Sequence, residues 1–460
     1  MKWLYRCHHC GAEYEIEPGR YLCDHCAKEN RPGVPLHGVL ECIWTEAPDS
    51  LRRAPTREAP TEAHDPAEAQ APDTQKPAAE ISRGDAAPES PPAYCPGSSR
   101  SVNSAAQPRL WSPDDIPLPI EARFSPPIPV GQTPLWAPER LRQSLGMPNL
   151  WLKDDTCNPS GSYKDRASWL VAAFARKHGI REIALASTGN AASSMACVGA
   201  AAGLKITVFL PKTAPVAKRI QVLQYGAELR EVDGTYDLAF DQSIEYSRAT
   251  GVLSRNTAYN PLTIEGKKTA SFEIARDLGA AVSKDAVRGA SLAGKGLFVA
   301  PDHLFVPTGD GVILAGVIKG FEDLLRLGLI DKLPKFWVAQ AEGSSAIVRA
   351  MRTGVFEPRP SSTIADSISV DVPRNGVFVL EKLRKHESGG VTASDDEILA
   401  AQRILSAQAG LFAEPSSACA FACFLKARAA IRAEESVVVM LTGSGLKDIK
   451  GAERALGLAT

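Results

Sequence analysis

Five short apolar runs, most of them separated by enough chain for a helix, constrain this sequence more than any other feature. "EIALAS" (Glu182 to Ser187), "KITVFL" (Lys205 to Leu210), "LFVP" (Leu304 to Pro307), "FWVAQ" (Phe336 to Gln340) and "VVVML" (Val437 to Leu441) carry the nearly continuous apolar pattern of strands buried on both faces. Helical spacing fills stretches between them, at Ala191 to Ala202, Pro215 to Tyr225, Ile264 to Leu278 and Ile313 to Leu325. From Ile116 onward the chain therefore reads as an α/β protein, with parallel sheets covered by helices. Ligands of such folds collect at the carboxyl ends of the strands, where helix N-termini point.

The residues just past three of those strands are correspondingly informative. "STGNAASS" (Ser187 to Ser194), "TGDGVILAG" (Thr308 to Gly316) and "TGSGLKD" (Thr442 to Asp448) each put glycine and small hydroxyl residues at a strand-to-helix junction. Such junctions offer free backbone N–H groups and a positive helix end to an anion. One is an ordinary turn; three in one region point to a ligand. "NPSGSYKDR" (Asn158 to Arg166) adds a lysine, Lys164, just inside a helix start, where the dipole disfavours a cation. A reactive amine explains that placement better than surface decoration.

The amino-terminal segment differs. Cys7, Cys10, Cys23 and Cys26 form C-x2-C-x12-C-x2-C, the spacing of paired knuckles that aim four thiolates at one structural zinc ion. A redox pair or a disulfide framework are the alternatives, and no signal peptide accompanies the second. Residues 1–44 are assigned to this zinc-ribbon-like module. Residues 45–115, rich in Pro, Ala, Glu and Ser with little aliphatic periodicity, read as a disordered or extended linker, or alternatively as ordered coil wrapped on the rest. A formal net charge of -1 over 460 residues gives no reason to expect nucleic acid, and no apolar run is long enough to span a membrane. A cytoplasmic location is expected.

Taken together, "NPSGSYKDRAS", "STGNAASS", "NPLTIEGKKTASFEIARDLG", "VPTGDGVILAGVIKGF", "TIADSISVDVPRN", "FAEPSSACA" and "LTGSGLKD" resemble, in this order, the pyridoxal-phosphate enzymes of the tryptophan synthase β fold, and among them the threonine synthases. The resemblance runs from about Ile128 to Gly457. It implies two α/β subdomains within residues 116–460, the smaller at about 160–265, with the cofactor cleft between them. It also implies that Lys164 anchors pyridoxal 5'-phosphate and carries protons, and that Thr308, Gly309, Asp310, Gly311, Val312 and Ile313 hold the cofactor phosphate, the Asp310 carboxylate turning away from it. Asn190 is expected at the ring oxygen and Thr442 at the pyridine nitrogen. Ser187 and Thr188 are expected to take the substrate carboxylate, and Arg255, Asn256, Lys267 and Lys268 a leaving phosphate. Glu414 and Arg374 are further candidates. A homodimer is the family's usual assembly.

The implied reaction is conversion of O-phosphohomoserine and water to threonine and phosphate. Thr263, Asp310 and Ala191 depart from the residues many threonine synthases carry there, each removing or opposing a phosphate-binding group. A related lyase or β-replacement enzyme, such as a serine or threonine dehydratase, is therefore kept as the alternative. A catalytically silent binding protein is a third reading, against which the intact Lys164 stands.

Overall fold

The computed structural model describes residues 2–31, 33–45, 116–212, 216–287 and 298–458. They belong to one compact unit; apart from Thr45, the linker expected at 45–115 lies outside the described residues. The amino-terminal module is an antiparallel sheet in the order β2-β1-β3, built from β1 (Trp3–Cys7), β2 (Glu13–Tyr14) and β3 (Leu40–Trp44). The remaining strands form two larger sheets. β4 (Leu135–Trp136) and β5 (Leu150–Asp154) open one of them. The chain then leaves to make a four-stranded sheet from β6 (Glu182–Ala186), β7 (Lys205–Pro211), β8 (Glu228–Val232) and β9 (Leu253–Ser254). It returns through β10 (His303–Pro307), β11 (Lys335–Ala341), β12 (Gly389–Ala393) and β13 (Val437–Leu441).

The smaller sheet is parallel throughout, in the order β8-β7-β6-β9. The larger runs β12-β11-β10-β13-β5-β4, parallel except for the β4 edge. This is the two-sheet α/β architecture expected from the motifs. In these two sheets three five-residue strands escaped the apolar count, each for a physical reason. β5 buries Lys153 and Asp154 at its end, β8 is a half-exposed edge, and β12 begins with two glycines. Among the described residues no helix is long and apolar enough to cross a membrane.

A buried ionic network joins the two halves beside the helix Lys164–Lys177. Arg166 donates to Asp155 at 2.6 and 2.9 Å and to Glu273 at 2.6 and 2.7 Å, and Lys153 donates to Glu273 at 2.7 Å. Thr133 closes it by donating to Asp155 at 2.7 Å and accepting from Arg166 at 3.1 Å. Each charge is matched, so the network avoids the several kcal/mol that an unpaired buried ion costs. Because Arg166 lies two residues beyond Lys164, the network fixes the first turn that carries the amine.

Candidate active site

The carboxyl ends of β6 and β10 face a cavity of about 530 Å³. After β6 the chain turns through Ser187, Thr188 and Gly189 into the helix Asn190–Ala202, with Gly189 as its cap residue. After β10 it turns through Thr308, Gly309 and Asp310 into the helix Val312–Arg326. Gly311 there has φ +84°, and a Cβ on it would stand 2.7 Å from Val379 Cγ1, so only glycine fits without strain. No side chain caps either helix start. The amides of Gly309 to Ile313 donate to no protein acceptor among the described residues, leaving a cradle of N–H groups open to an anion.

Lys164, half-buried, opens into the same cavity. Neighbouring lysines each have hydrogen-bond partners: Lys153 in Thr133 and Glu273, Lys267 in the Thr263 carbonyl at 2.9 Å, and Lys447 in Ser160, Ser193 and Gln221. The Lys164 amine alone among these has no hydrogen bond or ion pair within the described residues. An amine left unpartnered beside an open amide cradle is what a covalently held, phosphate-bearing aldehyde requires, so the residues present fit pyridoxal phosphate. Burial lowers the Lys164 pKa from its ordinary value, Glu414 and Asp310 oppose that shift, and Arg255 reinforces it.

Ser187, Thr188, Asn190, Lys164, Lys267 and the run Thr308 to Ile313, all singled out from the sequence, line this one cavity. Asn190 donates from Nδ2 to Ser367 at 3.1 Å and to Glu414 at 3.0 and 3.1 Å, bridging the two halves. Glu414 is thereby part of the site, and burial pushes its carboxyl above the usual range while Asn190, Lys447 and Lys164 hold it down. Thr442 stands behind the lysine turn, its carbonyl accepting the Tyr163 amide at 2.9 Å and its amide donating to Ser417 at 2.8 Å. The Asp310 carboxylate accepts the Arg374 amide at 3.0 Å. Burial raises its pKa, which that amide offsets.

The four residues expected at a leaving phosphate separate. Arg255 is fully buried, donating to Thr257 at 2.7 Å and Ser168 at 3.3 Å, and burial brings its pKa down to about 10. Thr257 lines the cavity. Lys267 lies well below the ordinary lysine range through burial, Arg255 and Lys164. Neither Arg255 nor Lys267 pairs with a carboxylate among the described residues. Of the four, only Lys267 lines the cavity among the described residues; Arg255, Asn256 and Lys268 do not. Asn256 accepts the Ala186 amide at 2.8 Å and donates to Ser243 at 2.7 Å, anchoring the end of β6. Lys268 turns the other way, to Glu265 at 2.5 Å and Asp323 at 2.8 Å.

Tyr236, Asp237 and Phe240 line the cavity from the first turns of the helix Tyr236–Thr250 and carry no sequence signal of their own, while Asp366 to Val372 line it from within the motif "TIADSISVDVPRN". Arg374 joins the two, its guanidinium paired with Asp237 and 5.2 Å above the Phe240 ring. At the other end of the chain, the four cysteine sulfurs lie within 4.8 Å of one another, with Cys7 to Cys26 at 3.9 Å and Cys10 to Cys23 at 3.5 Å. A tetrahedral zinc with Zn–S of about 2.3 Å needs sulfur separations of roughly 3.8 Å, so this set fits the ion.

Comparison with known proteins agrees with this geometry. Residues 128–443 match the family described as pyridoxal-phosphate dependent enzyme. A threonine synthase of Methanosarcina acetivorans is 34% identical over 74% of this chain and 80% of its own length. One from Methanocaldococcus jannaschii is 33% identical over 71% and 77%. Among solved structures, the processed form of threonine deaminase isoform 2 from Solanum lycopersicum superposes with a TM-score of 0.58 at 22% identity, covering 71% of this chain and 88% of that one. That likeness speaks for the fold.

Proposed function

The chain belongs to the pyridoxal-phosphate-dependent enzymes as a threonine synthase-like lyase, and from that premise we propose that it converts O-phosphohomoserine and water to threonine and inorganic phosphate. One observation carries the phosphorylated substrate: Arg255 and Lys267 are buried together beside the cavity, and neither has a carboxylate partner among the described residues. Two such cations cost several kcal/mol to bury unless an anion joins them, and a substrate phosphate is that anion. When bound, pyridoxal phosphate supplies the electron sink that makes the α and β hydrogens of an amino acid removable.

This chain's residues do the rest. The N–H groups of Gly309 to Ile313 would hold the cofactor's phosphate, Asn190 would serve its ring oxygen, and Thr442 would supply a neutral hydroxyl to the pyridine nitrogen. Ser187 and Thr188, at the positive end of the helix Asn190–Ala202, take the substrate carboxylate. Lys164 accepts and returns protons at Nζ; burial brings its pKa toward the working pH, which suits a general base. Lys267 and Arg255 hold the departing phosphate.

Asp310 favours a second reading. Its carboxyl sits in the cavity wall among the anion-binding amides, which suits dehydration of an unphosphorylated hydroxyamino acid. Incubation of purified protein with O-phosphohomoserine, serine, threonine and O-phosphoserine separates the two. Threonine with one equivalent of phosphate is expected; a 2-oxo acid from serine or threonine, with no threonine formed, would replace this proposal by the second. The cysteine set is assigned to structural zinc and the assembly to a homodimer. Native mass with metal analysis should give two chains and one zinc ion per chain.

A further inference from the structure

The cysteine module reaches into the active site. The Gly38 carbonyl accepts the Cys23 amide at 2.8 Å. A Cβ on Gly38 would lie 2.9 Å from the Ala27 nitrogen and 3.1 and 3.2 Å from the Cβ atoms of Cys23 and Cys26. The backbone that aims the thiolates thus also sets the path of residues 33–38. Asn30 clips that path, accepting the His37 amide at 2.6 Å and donating to its carbonyl at 3.2 Å. Leu36 then donates its amide to the Arg374 carbonyl at 2.8 Å, while the Arg374 amide donates to Asp310 at 3.0 Å. Gly33 itself lines the cavity.

The module is anchored on both halves of the catalytic region. His8, between Cys7 and Cys10, stands 2.7 Å by Nδ1 from Glu381 and edge-on to Phe378, with ring centroids 4.9 Å apart. Both partners lie on the helix Gly376–Lys385, which begins just after Arg374. On the smaller half, the Tyr21 hydroxyl accepts the Ser254 amide at 2.8 Å and its ring packs 4.8 Å from Tyr259. Ser254 immediately precedes Arg255.

We propose that the metal-bound cysteine module is a wall of the substrate cavity: Gly33 faces the substrate, and the segment 33–38 holds Arg374 and Asp310 in place. Metal occupancy then sets substrate affinity. The three strands share a hydrophobic core with the catalytic region, but the turns that set the segment 33–38 are held by the cysteines themselves, so that segment is what the ion keeps in place. Its loss frees the Leu36 amide from Arg374 and loosens Asp310 beside the cationic floor. The inference rests on the proposed function only for its choice of substrate.

Two arms test it in the full-length holoenzyme. Gly33 has φ +78° with nothing within 4 Å of a Cβ, a conformation that Asn and Asp tolerate best among other residues. Gly33→Asn and Gly33→Asp therefore share one strain and differ in charge. With zinc content and cofactor absorbance unchanged, KM for O-phosphohomoserine should be about five- to tenfold higher for Asp than for Asn, with kcat within twofold. Equal KM values overturn the proposal.

The second arm needs no substrate. Hydrogen exchange at Leu36 and Arg374 should accelerate at least tenfold when zinc is removed by chelation. It should also accelerate, by less, in Glu381→Gln with zinc retained. Unchanged exchange at both amides in Glu381→Gln and in the chelated protein overturns the wall; if chelation unfolds the chain, the Glu381→Gln result decides. Absence of turnover on O-phosphohomoserine counts against the proposed function alone, and this arm then decides the wall.

Discussion

Lys267 and Lys268 are adjacent and both fully buried, yet the structure predicts opposite consequences for their removal. Among the described residues, Lys267 has only the Thr263 carbonyl, at 2.9 Å. Lys268 has Glu265 at 2.5 Å and Asp323 at 2.8 Å. Lys268→Met strands two buried carboxylates and should cost about 3–5 kcal/mol, toward the lower end because Lys319 stays 3.4 Å from Glu265 and 3.1 Å from Asp323. Lys267→Met removes a charge with no acid to strand, so stability should hold or rise. The substrate should notice instead. A charge-assisted bond to phosphate is worth about 1.5–3 kcal/mol, which raises KM for O-phosphohomoserine roughly 10- to 150-fold.

The pH dependence of that stability has a definite sign. Burial, Arg255 and Lys164 lower the Lys267 pKa, so the unfolded chain binds the extra proton between that depressed value and the ordinary 10.5. Stability gains from this group as pH rises through the window, and Lys267→Met should abolish the gain. Inorganic phosphate should stabilise the wild-type holoprotein by about 2.7 kcal/mol at a hundred times its Kd, and Lys268→Met should keep that response while Lys267→Met loses it. Thermal unfolding with and without phosphate, alongside KM, reads all of this. Equal KM effects from the two substitutions, or equal destabilisation, would refute the assignment of Lys267 to an anion.

Two further outcomes are expected. Against burial, Arg166 and Lys153 hold the Glu273 carboxyl well below its usual range, so the stability it contributes is complete above about pH 4.5 and declines as pH falls below it. Glu273→Gln should cost about 3 kcal/mol at neutral pH and flatten that acid limb in denaturant titrations. Lys447 ties the turn before Lys164 to the smaller half, donating to Ser160 at 2.9 Å, Ser193 at 3.0 Å and Gln221 at 2.8 Å. Lys447→Met should lower kcat/KM about tenfold and speed hydrogen exchange in the helix Asn190–Ala202, with the cofactor spectrum unaltered; unchanged exchange there would deny it the clamp.

The strands with continuous apolar runs, and the glycine junctions after β6, β10 and β13, were legible because burial and loop chemistry leave local marks. β8 and β12 were not, since a half-exposed edge and a Gly-Gly start take their strand character from neighbours rather than from their own residues. The same limit governs the site. Lys164 stood out by its helix-start position, but nothing local distinguishes Lys267 from Lys268. That difference comes from which helix face meets Glu265 and Asp323, a property of packing. Tyr236 and Gly33 enter the cavity from separate segments, and their spacing carries no pattern. Asn256 was grouped with Arg255 by adjacency, whereas the backbone turn after β9 sends its amide to Ser243 and the end of β6.

Sodium borohydride reduction of the purified holoprotein, with peptide mass mapping of the product, tests the assignment of the anchoring amine most directly. The predicted result is a pyridoxyl-phosphate mass on the peptide carrying Lys164 and on no other. The same mass on Lys153, Lys267 or Lys447, or on no lysine at all, would contradict it.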